Sequence, residues 1–144
     1  QTIFLGPAWP DWSGETNSRI SISHGLKFRG GDPLKTGDML GTRMVDEDWT
    51  IVNMLLKYYK FGFARATEEG NIGIREGKLT RVQAIEIAEK YDGSCGDKYI
   101  EGFCKYIGIE EKLFWQTVKK FTNKDLFDVS AKRPKKKFTV GQNM

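Results

Sequence analysis

Three arginines and four glycines lie between residues 61 and 81, and these are the residue types of this sequence best suited to bind an anion. The stretch reads FGFARATEEGNIGIREGKLTR, and its arginines are Arg65, Arg75 and Arg81. A guanidinium group is planar and presents paired donors that match the oxygens of a phosphate or a carboxylate. Glycine lets the backbone approach a ligand closely or adopt a positive φ. We therefore predict that this stretch is a loop that binds a phosphorylated or nucleotide-linked ligand.

Two more side chains and the start of a helix extend the predicted site. Thr67 adds a hydroxyl near Arg65, and Thr80 begins a helix whose free N–H groups can receive an anion. The predicted substrate- or phosphate-binding residues are therefore Lys60, Arg65, Thr67, Arg75 and Arg81. The alternative, which composition alone favours, is that the arginines pair with the nearby acids Glu68, Glu69, Glu76 and Glu86. No catalytic residue can be assigned from the sequence.

Metal, nucleophile and ATP sites of familiar types are not predicted. The chain has two cysteines and one histidine, Cys95, Cys104 and His24, which cannot complete a tetrahedral zinc site. His24 has no marked nucleophile beside it. The cysteines allow a disulfide by number, but Cys104 falls on the apolar face of a predicted helix, where a buried free thiol is commoner. The sequence has neither G-x-x-x-x-G-K-[ST] nor G-x-G-x-x-G, so no ATP site can be derived from it.

Length and charge favour one domain with a basic tail. The chain has 144 residues, of which 39 % are hydrophobic and 29 % charged. No apolar run approaches the ~20 residues that cross a bilayer, so we expect a cytoplasmic protein without a membrane segment. The net charge of +4 comes from Lys132, Arg133, Lys135, Lys136 and Lys137, because the rest has 18 basic and 19 acidic residues. Such a tail is either a solvated segment or a contact for a polyanion.

The elements that must position these residues are mainly helical. The sequence predicts four to five packed helices, an irregular N-terminal third with a short strand or extended segment at residues 2–5, and a basic tail. One helix begins with Asp46 or Asp48 as N-cap and runs to Phe63, and a second spans Thr80 to Gly93 with a capping box. Further helices are predicted for 97–108, 109–123 and, more weakly, 17–25. We expect one domain over residues 1–128, with 129–144 loose or folded as a weak hairpin around Arg133 and Pro134.

The segment KFGFARATEEGNIGIREGKLTRVQAIEIAEKYDG, residues 60–93, resembles the signature of the N-acetyl sugar amidotransferase family, a branch of the PP-loop ATP pyrophosphatases. That signature has a Lys-x-Gly-x-x-Arg-x-Thr run, then Ile-Arg-x-Gly, then an Arg-containing helix ending in Tyr-Asp-Gly. The matching positions are Lys60, Gly62, Arg65, Thr67, Ile74, Arg75, Gly77, Arg81, Ala84, Tyr91, Asp92 and Gly93. The likeness extends over most of residues 3–128. It departs from the family at Ala64, where a glycine is usual, and at Glu68, Glu69 and Asn71, where an Asp-His or Asp-Gln pair and a serine are usual.

The resemblance implies the C-terminal part of a longer enzyme. Such enzymes use ATP and Mg to activate an acetamido group on a nucleotide-linked N-acetyl sugar, and ammonia from a glutaminase partner then gives an acetamidino sugar for surface polysaccharide. The family's PP-loop lies in an N-terminal half, which is absent from this sequence, so we expect the isolated chain to be inactive. By resemblance, Arg65 and Arg75 would hold phosphate or adenylate oxygens, assisted by Lys60 and Thr67.

Two interpretations from other classes remain open. The basic tail and the arginines would also suit a nucleic-acid-binding module related to PP-loop tRNA-modifying enzymes, although the near-neutral body argues against it. A helical module that mediates oligomer contacts, including a homo-oligomer, is the other. The three interpretations differ in whether the arginines converge on a concave site.

Overall fold

The computed structural model describes residues 2, 3, 8 and 12–142, and within them the protein is mainly helical, as predicted. The helices are α1 (Gly14–Ser23), α2 (Pro33–Thr36), α3 (Trp49–Phe61), α4 (Arg65–Arg75), α5 (Arg81–Tyr91), α6 (Asp97–Ile107) and α7 (Glu111–Phe121). Two short strands follow, β1 (Phe127–Asp128) and β2 (Lys135–Lys136). No helix in the described part of the chain has the length and apolar character needed to cross a membrane.

The N-terminal third differs in detail from the prediction. The helix expected from Asn17 begins at Gly14, because the Ser13 hydroxyl accepts a hydrogen bond from the Thr16 N–H and caps the helix three residues earlier. Gly25 follows its end with a φ of 96°. Of the predicted strand at residues 2–5, residues 4 and 5 lie outside the described residues, and Thr2 and Ile3 are not in a strand.

Helix α3 is the centre of the core, and its N-terminal cap agrees with the prediction in position but not in its hydrogen bonds. Asp48 occupies the N-cap position without a side-chain capping bond, and its carboxylate accepts from Arg29 Nε instead. The carboxylate of Glu47 takes the capping role, since it accepts from the N–H groups of Trp49 and Thr50 at 2.7 and 3.1 Å. The predicted N-cap position at Asp48 is therefore confirmed, but the capping hydrogen bonds come from Glu47, whose longer side chain reaches both free N–H groups.

The main core joins α3, α6, α7 and β1. Its most buried side chains belong to these elements, namely Ile51, Val52, Leu55, Ile100 and Phe127. The ring of Phe127 packs edge-on against Tyr58, Tyr59 and Phe138, so the segment after α7 closes one side of the core. Burial of this apolar surface is the largest favourable contribution to folding.

The C-terminal segment folds back onto the body. Strand β1 pairs antiparallel with β2, with Phe127 opposite Lys136 and Asp128 opposite Lys135. Lys132 pairs with Glu111 at 2.8 Å, and Lys136 forms an ion pair with Glu89. Arg133 reaches Asp97 and the Cys95 carbonyl, and its guanidinium lies 5.2 Å from the Trp115 ring centroid. Several cations of the basic tail are therefore already engaged within the chain.

The largest departure from the sequence prediction is α4, which occupies most of the stretch predicted to be a loop. Gly70 and Gly73 lie inside this helix, and both are buried. A β-carbon at Gly70 would lie 3.2 Å from the Ala84 Cβ, and one at Gly73 would lie 2.6 Å from Leu79 Cδ1. These glycines therefore allow α4 to pack closely against α5 and the turn before it. Positive φ values occur only at the flanking positions of the stretch, at Gly62 and Gly77.

Candidate functional site

Helix α4 places Arg65 and Arg75 on one cavity. Arg65 is the first residue of the helix and Arg75 the last, and positions 65, 68, 72 and 75 repeat at the spacing of one helical face. Both arginines line a cavity of about 420 Å³, together with Arg43, Glu68, Glu69, Asn71 and Ile72. The two arginines that the sequence predicted to share an anion-receiving site therefore do line the same concave surface.

Arg43 completes a set of three guanidinium groups and was missed by sequence reasoning. It lies in the irregular segment between α2 and α3, more than twenty residues before Arg65, where no pattern marked it. Its Nε lies 3.8 Å from Glu69 Oε1. Arg65 Nη2 donates to the Thr50 hydroxyl at 3.3 Å, which anchors that side chain to α3. The three arginines thus reach the cavity from two parts of the chain, α4 and the segment between α2 and α3.

Arg75 is the most available of the three cations. It is exposed, and within residues 12–142 it has no carboxylate within 4.0 Å. The alternative in which each arginine is neutralised by a neighbouring acid therefore does not describe Arg75. Glu68, its nearest candidate on the same face, pairs with Lys57 of α3.

Glu69 is the only acid of the site whose carboxylate is largely buried. Its side chain is 9 % exposed, and neither carboxylate oxygen has a hydrogen-bond partner in the described part of the chain. Burial and, less strongly, the negative charge of Asp38 raise the pKa of Glu69 to about 7, while Arg43, Arg65 and the Met39 backbone N–H oppose the rise. A buried acceptor without a partner is costly, so this side chain requires an explanation beyond packing.

A second, larger cavity adjoins the first across Arg43 and Glu69. Its volume is about 660 Å³, and it lies between α1, the segment after α2, and α4. Apolar side chains form much of its lining: Met39, Leu40, Ile72, Leu79 and Ile87. Glu15, Arg19, Glu76 and Lys78 stand around it, and Lys78 pairs with both Glu15 and Glu76. The two adjoining cavities therefore combine the three arginines with both acidic side chains and an apolar surface.

Three of the predicted binding residues do not line the arginine cavity. Lys60 lies on α3 beside a separate apolar groove, with its ammonium 5.8 Å from the Phe61 ring centroid. Arg81 and Thr67 border a third cavity of about 170 Å³ between α4, α5 and the C-terminal segment. The structure therefore brings Arg65 and Arg75 together with Arg43 and places Lys60, Thr67 and Arg81 elsewhere.

Both helix N-termini near the site are capped by the protein's own side chains. One oxygen of Asp92 accepts from the N–H groups of Ala66 and Thr67, at 2.9 and 3.3 Å, and the other accepts from the Thr67 hydroxyl. At the start of α5, Thr80 and Gln83 form the predicted capping box. An external anion at either end would have to displace these side chains, so the guanidinium groups are the available anion-binding groups.

The cysteines and His24 add no chemistry to the site. Cys95 and Cys104 are both free and buried, and burial raises the pKa of the Cys95 thiol to about 12, which disfavours the reactive thiolate. His24 is exposed, with its Nδ1 2.8 Å from the Ile20 carbonyl oxygen. The described residues contain no group of three or more His, Cys, Asp or Glu side chains placed to hold a metal ion.

Comparison with protein families gives one match. Residues 39–140 match the family model described as "LPS biosynthesis protein WbpG-like, C-terminal domain". The matched region contains Arg43, Arg65, Glu69 and Arg75, whereas α1 lies outside it. No curated protein and no solved structure matches the chain.

Proposed function

Because the chain belongs to the WbpG-like C-terminal domain family of LPS biosynthesis proteins, we propose that it is the C-terminal segment of a cytoplasmic, ATP-dependent amidotransferase that acts on a nucleotide-linked N-acetyl sugar. The single observation that carries the proposal is the cavity that Arg43, Arg65 and Arg75 line together. Three such groups provide a preorganised site for phosphoryl oxygens, which a nucleotide-linked sugar carries in its diphosphate.

The adjoining cavity supports the same class of ligand. A nucleotide-linked N-acetyl sugar has an anionic diphosphate next to a ring that carries hydroxyls and an acetyl methyl group. The larger cavity offers an apolar surface directly beside the arginines, with Met39 and Leu40 on one side and Ile72 on the other. We propose that the diphosphate binds the arginines and that the sugar extends toward this surface.

The ATP and Mg of the proposed reaction do not fit the residues of this chain. The described residues lack a cluster of metal ligands, and the sequence lacks a glycine-rich phosphate loop of the familiar types. We therefore propose that ATP and Mg bind an N-terminal PP-loop domain of a longer protein, and that a glutaminase partner supplies ammonia. The residues of this chain would position the sugar substrate and stabilise charge on phosphoryl or adenylate oxygens.

A nucleic-acid-binding role has less support from the geometry. It would depend on the cations of the basic tail, yet Lys132, Arg133 and Lys136 pair with acids of α5, α6 and α7. A cation that already forms an ion pair within the protein contributes less to the affinity for a polyanion, because that ion pair must be broken before the cation can replace a counterion. A role in oligomerisation is compatible with the amidotransferase proposal if the contacts between copies lie away from the arginine cavity.

Replacing Arg75 tests the proposed function. We expect Arg75→Ala to weaken binding of UDP-N-acetylglucosamine to the chain by about 10- to 100-fold, because a charge-assisted hydrogen bond contributes roughly 1.5–3 kcal/mol. Isothermal titration calorimetry would measure this, with Lys105→Ala on the exposed side of α6 as the matched control. Equal affinities in wild type and Arg75→Ala, or unchanged turnover when Arg75→Ala is placed in the longer enzyme, would refute the assignment.

Filling the larger cavity tests where the sugar lies. Leu40→Trp places a larger side chain on the apolar lining of that cavity and leaves the charges of the three arginines unchanged. We expect it to weaken UDP-N-acetylglucosamine binding at least tenfold while inorganic pyrophosphate still binds as in the wild type. Leu113→Trp, on the exposed face of α7, controls for the added indole. A parallel loss of both ligands would place the sugar elsewhere.

A further inference from the structure

Glu69 is placed so that an anion bound to the arginines would lie close to its negatively charged carboxylate. It lines both cavities, and its Oε1 lies 3.8 Å from Arg43 Nε, so a phosphoryl group bound to Arg43 would lie close to the carboxylate. No side chain in the described residues donates a hydrogen bond to the carboxylate. Its negative charge is stabilised mainly by Arg43 and Arg65, groups that the ligand would also use, with a smaller contribution from the Met39 backbone N–H.

The charged groups around Glu69 come from every neighbouring segment. Its own helix contributes Arg65, Glu68 and Arg75, and the segment after α2 contributes Asp38 and Arg43. Helix α1 and the turn after α4 place further charges around the larger cavity: Glu15, Arg19, Glu76 and Lys78. Helix α5 contributes the apolar Ile87 there. Among the described residues, Glu69 is the acid that lies within 4.0 Å of Arg43, so a ligand bound to Arg43 would affect Glu69 most directly.

We propose that Glu69 is a proton-coupled ligand-sensing residue of the arginine cavity, ionised against Arg43 when the cavity is empty and protonated when a phosphoryl group binds. This inference rests on the proposed phosphate-binding role of the cavity. The proton comes from solvent, the carboxylate becomes a neutral carboxylic acid, and no other bond forms or breaks. Arg43 is thereby released from the carboxylate and becomes available to the phosphoryl oxygens.

Electrostatics give the direction of the effect. Two anions that share one cation repel each other, and the buried anion is the easier of the two to neutralise by protonation. Burial and the charge of Asp38 already raise the pKa of Glu69 to about 7, and a bound anion would raise this pKa further. At pH 6 most of the Glu69 side chains are already protonated, so ligand binding requires no additional free energy for protonation. At pH 8 most of the empty protein is ionised, and binding must draw a proton from solution.

The expected result is ligand affinity that falls as pH rises. With UDP-N-acetylglucosamine as the probe, whose diphosphate diester keeps a fixed charge over this range, the dissociation constant of the wild type should rise about tenfold between pH 6 and pH 8. Titrations at pH 7 in buffers of different ionisation enthalpy should show uptake of roughly half a proton per ligand bound. Neither measurement requires a variant.

Glu69→Gln separates this residue from the rest of the site. Glutamine imitates the neutral acid, so its affinity should stay within about twofold between pH 6 and pH 8, and its proton uptake at pH 7 should vanish. The variant should fold, because the amide removes a buried charge that opposes folding above the carboxyl's ordinary pKa. Glu86→Gln, an exposed acid on α5, is the matched control and should retain the wild-type pH profile.

The outcomes distinguish this inference from the proposed function. Binding that depends on Arg75 but is independent of pH, with no proton uptake, would overturn the role of Glu69 and leave the arginine site intact. The same pH dependence in Glu69→Gln as in the wild type would also overturn it. No binding of the probe at any pH would overturn both.

Discussion

Gly93→Ala is expected to lower the free energy of unfolding by about 2–4 kcal/mol, the cost of overpacking combined with that of a left-handed backbone conformation. Gly93 follows α5 with a φ of 78°, a conformation that residues with a β-carbon adopt only at a cost. A β-carbon there would also lie 2.5 Å from both Cδ1 and Cε1 of Tyr58. An alanine can therefore be accommodated only if the Tyr58 ring moves.

The Tyr58 ring has little freedom to move. It packs against Tyr59, Phe127 and Phe138, with centroid distances of 5.8, 5.1 and 6.5 Å. Phe127 is among the most buried side chains of the protein, so a shift of Tyr58 would disturb the main core. This aromatic cluster is the reason why the expected effect exceeds that of an ordinary glycine substitution.

Gly77→Ala is the matched control for Gly93→Ala. Gly77 has a similar φ of 68°, but no atom lies within 4 Å of the position its β-carbon would take. It should therefore lose only the conformational part, about 1 kcal/mol. Urea unfolding followed by circular dichroism would measure both variants. Equal losses in the two variants would show that the contact with Tyr58 carries no energy.

The helices of the main core were predictable because their sequences repeat at the helical period. Val52, Leu55 and Tyr59 of α3 and Ile100 and Cys104 of α6 follow that period, and all of them are buried. The capping box at Thr80 was visible for the same reason, since it depends on local spacing alone. Local signals of this kind need no knowledge of tertiary contacts.

Helix α4 was missed because its glycines serve tertiary packing. Gly70 and Gly73 lower helix propensity by about 1 kcal/mol each, and in the sequence they suggest a loop. In the structure they lie against Ala84 and Leu79, where a larger side chain would not fit without rearrangement. Packing between α4 and α5 thus overrides local propensity, and this information is absent from residues 61–81 alone.

The candidate site was predictable in part for a related reason. Arg65 and Arg75 share one helical face and one cavity, although the sequence argument for them assumed a loop. Arg43 comes from an irregular segment, and Glu69 was considered only as a partner for the arginines. Arg43 and Glu69 meet only because the segment between α2 and α3 passes beside α4. No local sequence pattern predicts that path.

The Tyr-Asp-Gly end of α5 has a structural role in this chain. Gly93 permits the approach of Tyr58, and Asp92 caps α4, which carries two of the cavity arginines. The turn after α5 therefore fixes where α4 begins and hence the position of Arg65. Residues that resemble a family signature can in this way support a site without lining it.

Asp92→Ala is accordingly expected to cost about 2–3 kcal/mol of folding stability. The substitution removes the acceptor of the Ala66 and Thr67 N–H groups and of the Thr67 hydroxyl. Ala66 is fully buried, so water cannot readily replace the carboxylate at its N–H. Loss of a helix N-cap alone costs about 0.5–2 kcal/mol, and the unsatisfied hydroxyl adds to it.

Further variants test the physical origin of that loss in stability. Asp92→Asn keeps one acceptor oxygen for the N–H groups and should lose about 1 kcal/mol, whereas Asp125→Ala, an exposed acid after α7, should stay within about 0.5 kcal/mol of the wild type. Thr67→Ala combined with Asp92→Ala should cost less than the sum of the single losses, because both remove the same hydrogen bond. Strict additivity would mean that Asp92 acts independently of Thr67.

Since α4 begins at this cap, the Asp92→Ala variant should also bind UDP-N-acetylglucosamine more weakly, although every charge that lines the arginine cavity is retained.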